Sequence, residues 1–199
     1  MSSASALTVS KHGSHDQKTH AGGGGGGGGT DSSASVSNLQ MAVNRASSAA
    51  IQYGDTRMKD VAYSASKDAD VAREKLDKGD FVGAKESMDT ASSKIQSLPA
   101  MAEDAKLDKD IVSKLTNDAK IARDANKQMS KNDQKLNNLG IEMFNHKQSA
   151  TPAMRAGKLN TPAAQAHIKR GQDIVTQAQN VMGGSRDAAM DELNRRMGN

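Results

Sequence analysis

From Val36 onward, apolar residues recur at steps of three and four: Val36, Leu39, Val43, Ala46 and Ala50, then Met58, Val61, Ala65, Ala69, Ala72 and Leu76. That spacing gathers them on one face of a helix, with the polar residues opposite. Gly54 falls in the gap between the two runs and predicts a break. Lys78-Gly79-Asp80 reads as a stop followed by a start, because Gly accepts the left-handed backbone that closes a helix and Asp offers a side-chain acceptor to the next helix's free amides. A second helical stretch, Phe81 to Leu98, carries Phe81, Val82, Ala84, Met88, Ala91 and Ile95 on its apolar side. Pro99, suited to a first helical position, predicts the opening of a third.

The third stretch has the most regular pattern. Met101, Leu115, Ala122, Met129, Leu136 and Met143 lie on one seven-residue lattice, interrupted at Asp108; a second lattice four residues on holds Ala105, Val112, Ala119, Asn126, Asp133 and Gly140. Together they read as an a/d seam. Asn126 and Asp133 weaken its C-terminal half, which is expected to be wetter and less firmly packed. The seam suits the middle helix of an intramolecular antiparallel bundle, and also an intermolecular coiled coil. Farther on, Thr151-Pro152 and Thr161-Pro162 each place a capping Thr before a helix-opening Pro, predicting a short helical turn and then a helix from Pro162 to Met182. Gly183-Gly184 stops that helix. Ser185 caps a last one, in which Ala189, Met190, Leu193 and Met197 form an apolar stripe beside Arg186, Arg195 and Arg196.

The fold class is therefore all-α: an antiparallel helical bundle or a long helical hairpin. Its parts are a Ser-, Gly- and His-rich disordered tail over residues 1–35, a helical body over 36–149, and C-terminal helices over 150–199 that form a docking region. Composition supports this. With two Phe, two Tyr and no Trp in 199 residues, the chain lacks the side chains that fill a thick interior and must bury Ala, Met, Leu, Ile and Val between closely approaching helices. Charge is balanced between residues 31 and 154 and basic after 155, where Arg155, Lys158, Lys169, Arg170, Arg186, Arg195 and Arg196 outnumber Asp173, Asp187, Asp191 and Glu192. A mildly basic end suits an acidic partner surface, and more weakly nucleic acid.

Little enzymatic chemistry is visible. The absence of cysteine removes disulfides and thiol chemistry. No nucleophile-elbow, zinc-protease, Walker or kinase signature occurs, and the carboxylates alternate in sign with Lys and Arg as on exposed helix faces. A non-enzymatic protein without cofactor or metal is expected. His12, His15 and His20, with Asp16 between them, have a spacing that could hold one zinc or nickel ion, but they lie in a polar stretch with nothing to orient the rings. His146 and His167 stand alone on their helices and read as surface or partly packed. No apolar run is long enough for a membrane span, and the first residues, MSSASALTVS, lack the pattern of a signal peptide.

The stretch Lys11-His12-Gly13-Ser14-His15-Asp16-Gln17-Lys18-Thr19-His20-Ala21-Gly22 resembles a short signature, roughly KHxxHDQKTHG, near the start of many tailed-bacteriophage head and head-morphogenesis proteins, often with a Gly-rich stretch after it. The resemblance covers about a dozen of 199 residues, with Ala21 where glycine is commoner. It implies a phage structural or assembly protein, scaffold-like or a minor virion component, present in the virion or in the host cytoplasm during assembly. Its partners would be coat or other virion proteins, with self-association. On that reading Lys11, His12, His15, Asp16, Gln17, Lys18, Thr19 and His20 are the recognition element, and Gly22 to Gly29 the flexible tether. Arg186, Arg195 and Arg196 would meet an acidic coat surface, while Leu193 and Met197 fill a shallow groove. A nucleic-acid-associated packaging protein using the basic C-terminus, and a generic helical binding module, are the alternatives.

Overall fold

A computed structural model describes residues 30–198, which are helical with no strand. The helices are α1 (Ser32–Tyr53), α2 (Thr56–Asp77), α3 (Phe81–Asp104), α4 (Lys109–Gln148), α5 (Pro152–Arg155), α6 (Pro162–Met182) and α7 (Arg186–Arg196). The residues of the KHGSHDQKTHAG stretch, Lys11 to His20 among them, and the glycines Gly22 to Gly29 lie outside the described residues.

Helices α1 and α3 each pack against both α2 and α4, closing a ring of four. The core between them is thin, as its composition requires. Ala42, Ala46 and Ala50 of α1 and Ala62, Ala65, Ala69 and Ala72 of α2 are all buried, punctuated by Leu39, Met58, Met88, Ile95, Leu115 and Met129. Helix α4 is 40 residues long against 22 for α1 and 22 for α2, so its C-terminal part runs past the ring. Helices α6 and α7 pack on α4 and on each other.

Leu115, Ala122, Met129, Leu136 and Met143 are at most 4% exposed, covered by the chain's own helices. These five seam positions are closed within the chain, while Val112, Asn126 and Asp133 stay partly exposed. The seam's polar positions find uses within the molecule: Asp133 pairs with Arg196, and Gly140 is buried beneath that same residue. Only the Oδ1 of Asn126 is a buried side-chain polar atom without a partner among the described residues. The C-terminal half of the seam is thus covered by α6 and α7 rather than wet.

Most helix boundaries fall where the capping chemistry places them. Asp55, Asp80, Thr151, Thr161 and Ser185 each accept a hydrogen bond from an amide three residues on. Gly79 and Gly183 take left-handed φ of 77° and 73°. Two boundaries depart from the sequence expectation. The body begins at Ser32 rather than Val36, because Asp31 caps α1 and buried Ser32 donates to the Val181 carbonyl while accepting from Asn132. Asn132 also donates to the Thr30 carbonyl at 3.1 Å, fixing the chain to α4 at the point where the helix begins.

Pro99, expected to open a helix, lies inside α3. Buried Leu98 and Met101 hold the helix on either side of it against the loss of one backbone hydrogen bond. The true turn is six residues later. Lys106 takes a left-handed φ of 56°, its amide donates to the Glu103 carbonyl and that of Leu107 donates to Ala102, a Schellman closure with lysine where glycine is usual. Met101 and Ala105 therefore belong to α3 and its end, and Asp108 is the N-cap of α4 rather than a flaw in its seam.

Candidate interaction surfaces

The last helix is the element on which the sequence places partner binding, and it is held within the molecule. Leu193 and Ala189 are fully buried, and Met197 packs against the core. Arg196 reaches α4, donating to the Asp133 carbonyl at 3.1 Å and the Asp133 carboxylate at 2.8 Å, and to Asn137. Its Nε donates to Glu192 at 2.7 Å, and its guanidinium lies 5.3 Å from the centre of the Phe81 ring. Arg195 donates to the Gly79 carbonyl at 2.8 Å and to Glu192. Glu192 is only 1% exposed, and two guanidiniums neutralise it.

Leu193, Arg195, Arg196 and Met197 accordingly close α7 onto α4 and the α2–α3 turn. For Leu193 and Arg196 the expectation of a free docking face is corrected by this geometry, while Arg195 stays half exposed: a short helix with a single apolar stripe buries that stripe at the nearest apolar seam, here its own chain's. Of the C-terminal residues named, Arg186 and Arg195 remain exposed, Arg195 with its guanidinium tied to Glu192 and the Gly79 carbonyl.

Arg186 borders a groove of about 410 Å³ between the end of α4, α5, α6 and α7. Met143, Met154, Ile168, Val175 and Met190 give it apolar walls, and Lys147 and Arg186 stand at its edge. His146 and His167 also line it, and they are not solitary. Their rings stack with centroids 3.7 Å apart and planes inclined by 16°, tying α4 to α6, and Glu142 pairs with Arg170 across the same two helices. Burial, and then the neighbouring His167, lower the pKa of His146. Periodicity could not reveal this pair, because the contact is between helices. One faint signal exists in Gly171, where a Cβ would stand 2.9 Å from the His146 ring nitrogen; the glycine leaves room for the ring.

A second depression, of about 470 Å³, lies at the opposite end of the ring beside Tyr53, Asp108, Lys109, Asp110, Ile111 and Lys114 and is walled mostly by charged side chains. Among the described residues no three His, Asp or Glu side chains come together as a metal site, and no helix is long and apolar enough to cross a membrane. Comparison with protein-family models, with curated proteins and with solved structures finds no match for this chain.

Proposed function

We propose that this chain is a non-enzymatic bacteriophage structural or head-assembly protein, scaffold-like or a minor virion component, that works through protein contacts. The observation that carries the reading is the stretch Lys11 to Gly22 with its resemblance to the head-protein signature, followed by the glycines to Gly29. In this reading the body is an antiparallel helical bundle that serves as a carrier, and the N-terminal stretch is the address recognised by a coat protein or maturation protease.

One feature supports a carrier role: the described chain begins at a defined root, since Asn132 and Val181 hold Thr30 and Ser32. On the C-terminal side the coat-facing residues are then the exposed Arg186, Met190 and Arg195, with the enclosed Arg196 left out.

The test is peptide-resolved mass spectrometry of precursor shells and mature particles from cells producing this chain, following both the Lys11–His20 segment and peptides of α4. Recovery from precursor shells alone identifies a scaffold that leaves; recovery from mature particles identifies a virion component. Absence from both overturns the assembly reading.

A further inference from the structure

The charges of the ring are sorted between its helices. Helix α1 carries Arg45 as its only charged residue. Helix α4, packed against it, carries Lys109, Lys114, Lys120, Arg123, Lys127, Lys131, Lys135 and Lys147 against Asp110, Asp118, Asp124, Asp133 and Glu142. Three of those five acids are withdrawn from the surface field: Asp118 is 5% exposed, Asp133 is paired with Arg196, and Glu142 is paired with Arg170. Helix α3, by contrast, carries Lys85 and Lys94 against Glu86, Asp89, Glu103 and Asp104.

The α4 cations are also aligned. Lys120, Arg123, Lys127, Lys131 and Lys135 follow one another at steps of three and four, so they share the face opposite buried Leu115, Ala122, Met129 and Leu136. All five are exposed, and none lies within ion-pair distance of a carboxylate among the described residues. Arg123 is steadied by the neutral Gln96 of α3. Only Asp124 interrupts the run, which spans about 22 Å of helix.

Folding does not account for this arrangement. Like charges four apart repel, so Lys127, Lys131 and Lys135 weaken α4 where alternating signs would strengthen it. Alternation is what the chain uses elsewhere, in Arg73–Asp77, Glu74–Lys78 and Lys85–Asp89. Between Lys120 and Lys135 the exposed face has no apolar or aromatic side chain. Protein docking sites are built around such anchors, whereas a phosphate backbone needs only correctly spaced cations. Lacking stacking platforms, the face can follow a backbone without reading bases.

We propose that the outer face of α4, from Lys120 to Lys135, binds the phosphate backbone of double-stranded nucleic acid without regard to sequence. On this proposal the binding face lies in the middle of the chain rather than at its basic C-terminus. Steps of four residues set successive lysines about 6 Å apart along the helix, so the row can run along several consecutive phosphates of one groove edge.

The test is fluorescence anisotropy of a labelled mixed-sequence DNA duplex titrated with the full chain over a range of salt. Binding should weaken with a slope of about −4 in log K against log salt, corresponding to four or five neutralised phosphates. The double variant Lys127→Glu, Lys131→Glu should lose at least about tenfold in affinity and about two units of that slope, and Lys127→Gln, Lys131→Gln a smaller part of each. The charge-matched pair Lys59→Glu, Lys67→Glu on α2 should bind close to the parent, with circular dichroism unchanged in all. No binding at low salt overturns the proposal. So does binding that survives the α4 substitutions, which would place it on other cations such as Lys11 and Lys18. Equal affinity for polyglutamate at the same salt would also overturn it, in favour of an acidic protein partner.

Discussion

A Cβ placed on Gly140 would stand 2.9 Å from the Cβ of Arg196, so α7 rests directly on the backbone of α4 at that glycine. In an isolated helix, Gly140→Ala would gain about 1 kcal/mol of helix propensity. Here it must lift Arg196 from Asp133 and Asn137, and the contacting atom is a Cβ with no freedom to swing aside. The expected outcome is a lower melting temperature with faster amide exchange through α7. A variant more stable than the parent, with α7 still protected, would show that the close approach is not limiting.

The two C-terminal arginines differ in what their loss exposes. Arg196 is largely enclosed and serves a carboxylate, Glu192, that is 1% exposed, while the Arg195 side chain is 53% exposed. Arg196→Ala should cost about 2 kcal/mol, because it also removes enclosed hydrogen bonds to Asp133 and Asn137, while Arg195 still pairs with Glu192. Arg195→Ala should cost less, about 1 kcal/mol. Denaturant unfolding of both variants checks the order; equal losses would contradict the assignment of Arg196 as the more deeply engaged of the two.

Lys106 sits where the α3–α4 turn needs a left-handed residue. Glycine adopts that backbone without the steric cost a lysine side chain incurs, so Lys106→Gly is expected to stabilise the chain by about 1 kcal/mol. Thermal unfolding measures this directly, and a destabilised variant would show that the lysine side chain contributes more than its backbone strain removes.

The His146–His167 stack gives a pH dependence with a definite sign. Burial and the second imidazole lower the pKa of His146 in the fold below its ordinary value of 6.5. Its contribution is therefore present above the unfolded pKa and is lost as pH falls through the lowered, folded value, where the partly buried ring must accept a charge beside His167. Exchange protection of α6 should weaken on acidification from neutral pH. In His146→Gln that weakening should be reduced, and an unchanged profile would assign it to other groups.

Much of the architecture is legible in local chemistry. The apolar steps within α1 to α4, the caps at Asp80, Thr151, Thr161 and Ser185 and the stop at Gly79 depend on neighbours within a few residues, and the sequence contains those neighbours. The α3–α4 boundary escapes because both of its signals mislead: Pro99 resembles a start, and Lys106 hides a stop in a residue that rarely makes one. The true start of α1 escapes for a related reason, since Ser32 is buried through hydrogen bonds to Val181 and Asn132 rather than through an apolar pattern.

The sequence by itself determined that the chain is helical, where most helices begin and end, that its core is made of Ala, Met and branched aliphatic residues, and that the N-terminal stretch resembles a head-protein signature. Tertiary structure alone decided which surfaces remain available. A stripe such as Ala189, Leu193 and Met197 reads the same whether it meets a partner or its own α4, and only the packed geometry puts Arg196 on Asp133. Likewise, the five carboxylates of α4 offset much of its basic charge along the chain until Asp118, Asp133 and Glu142 are buried or paired. Burial and pairing depend on contacts between residues as far apart in sequence as Asp133 and Arg196, which no local pattern encodes.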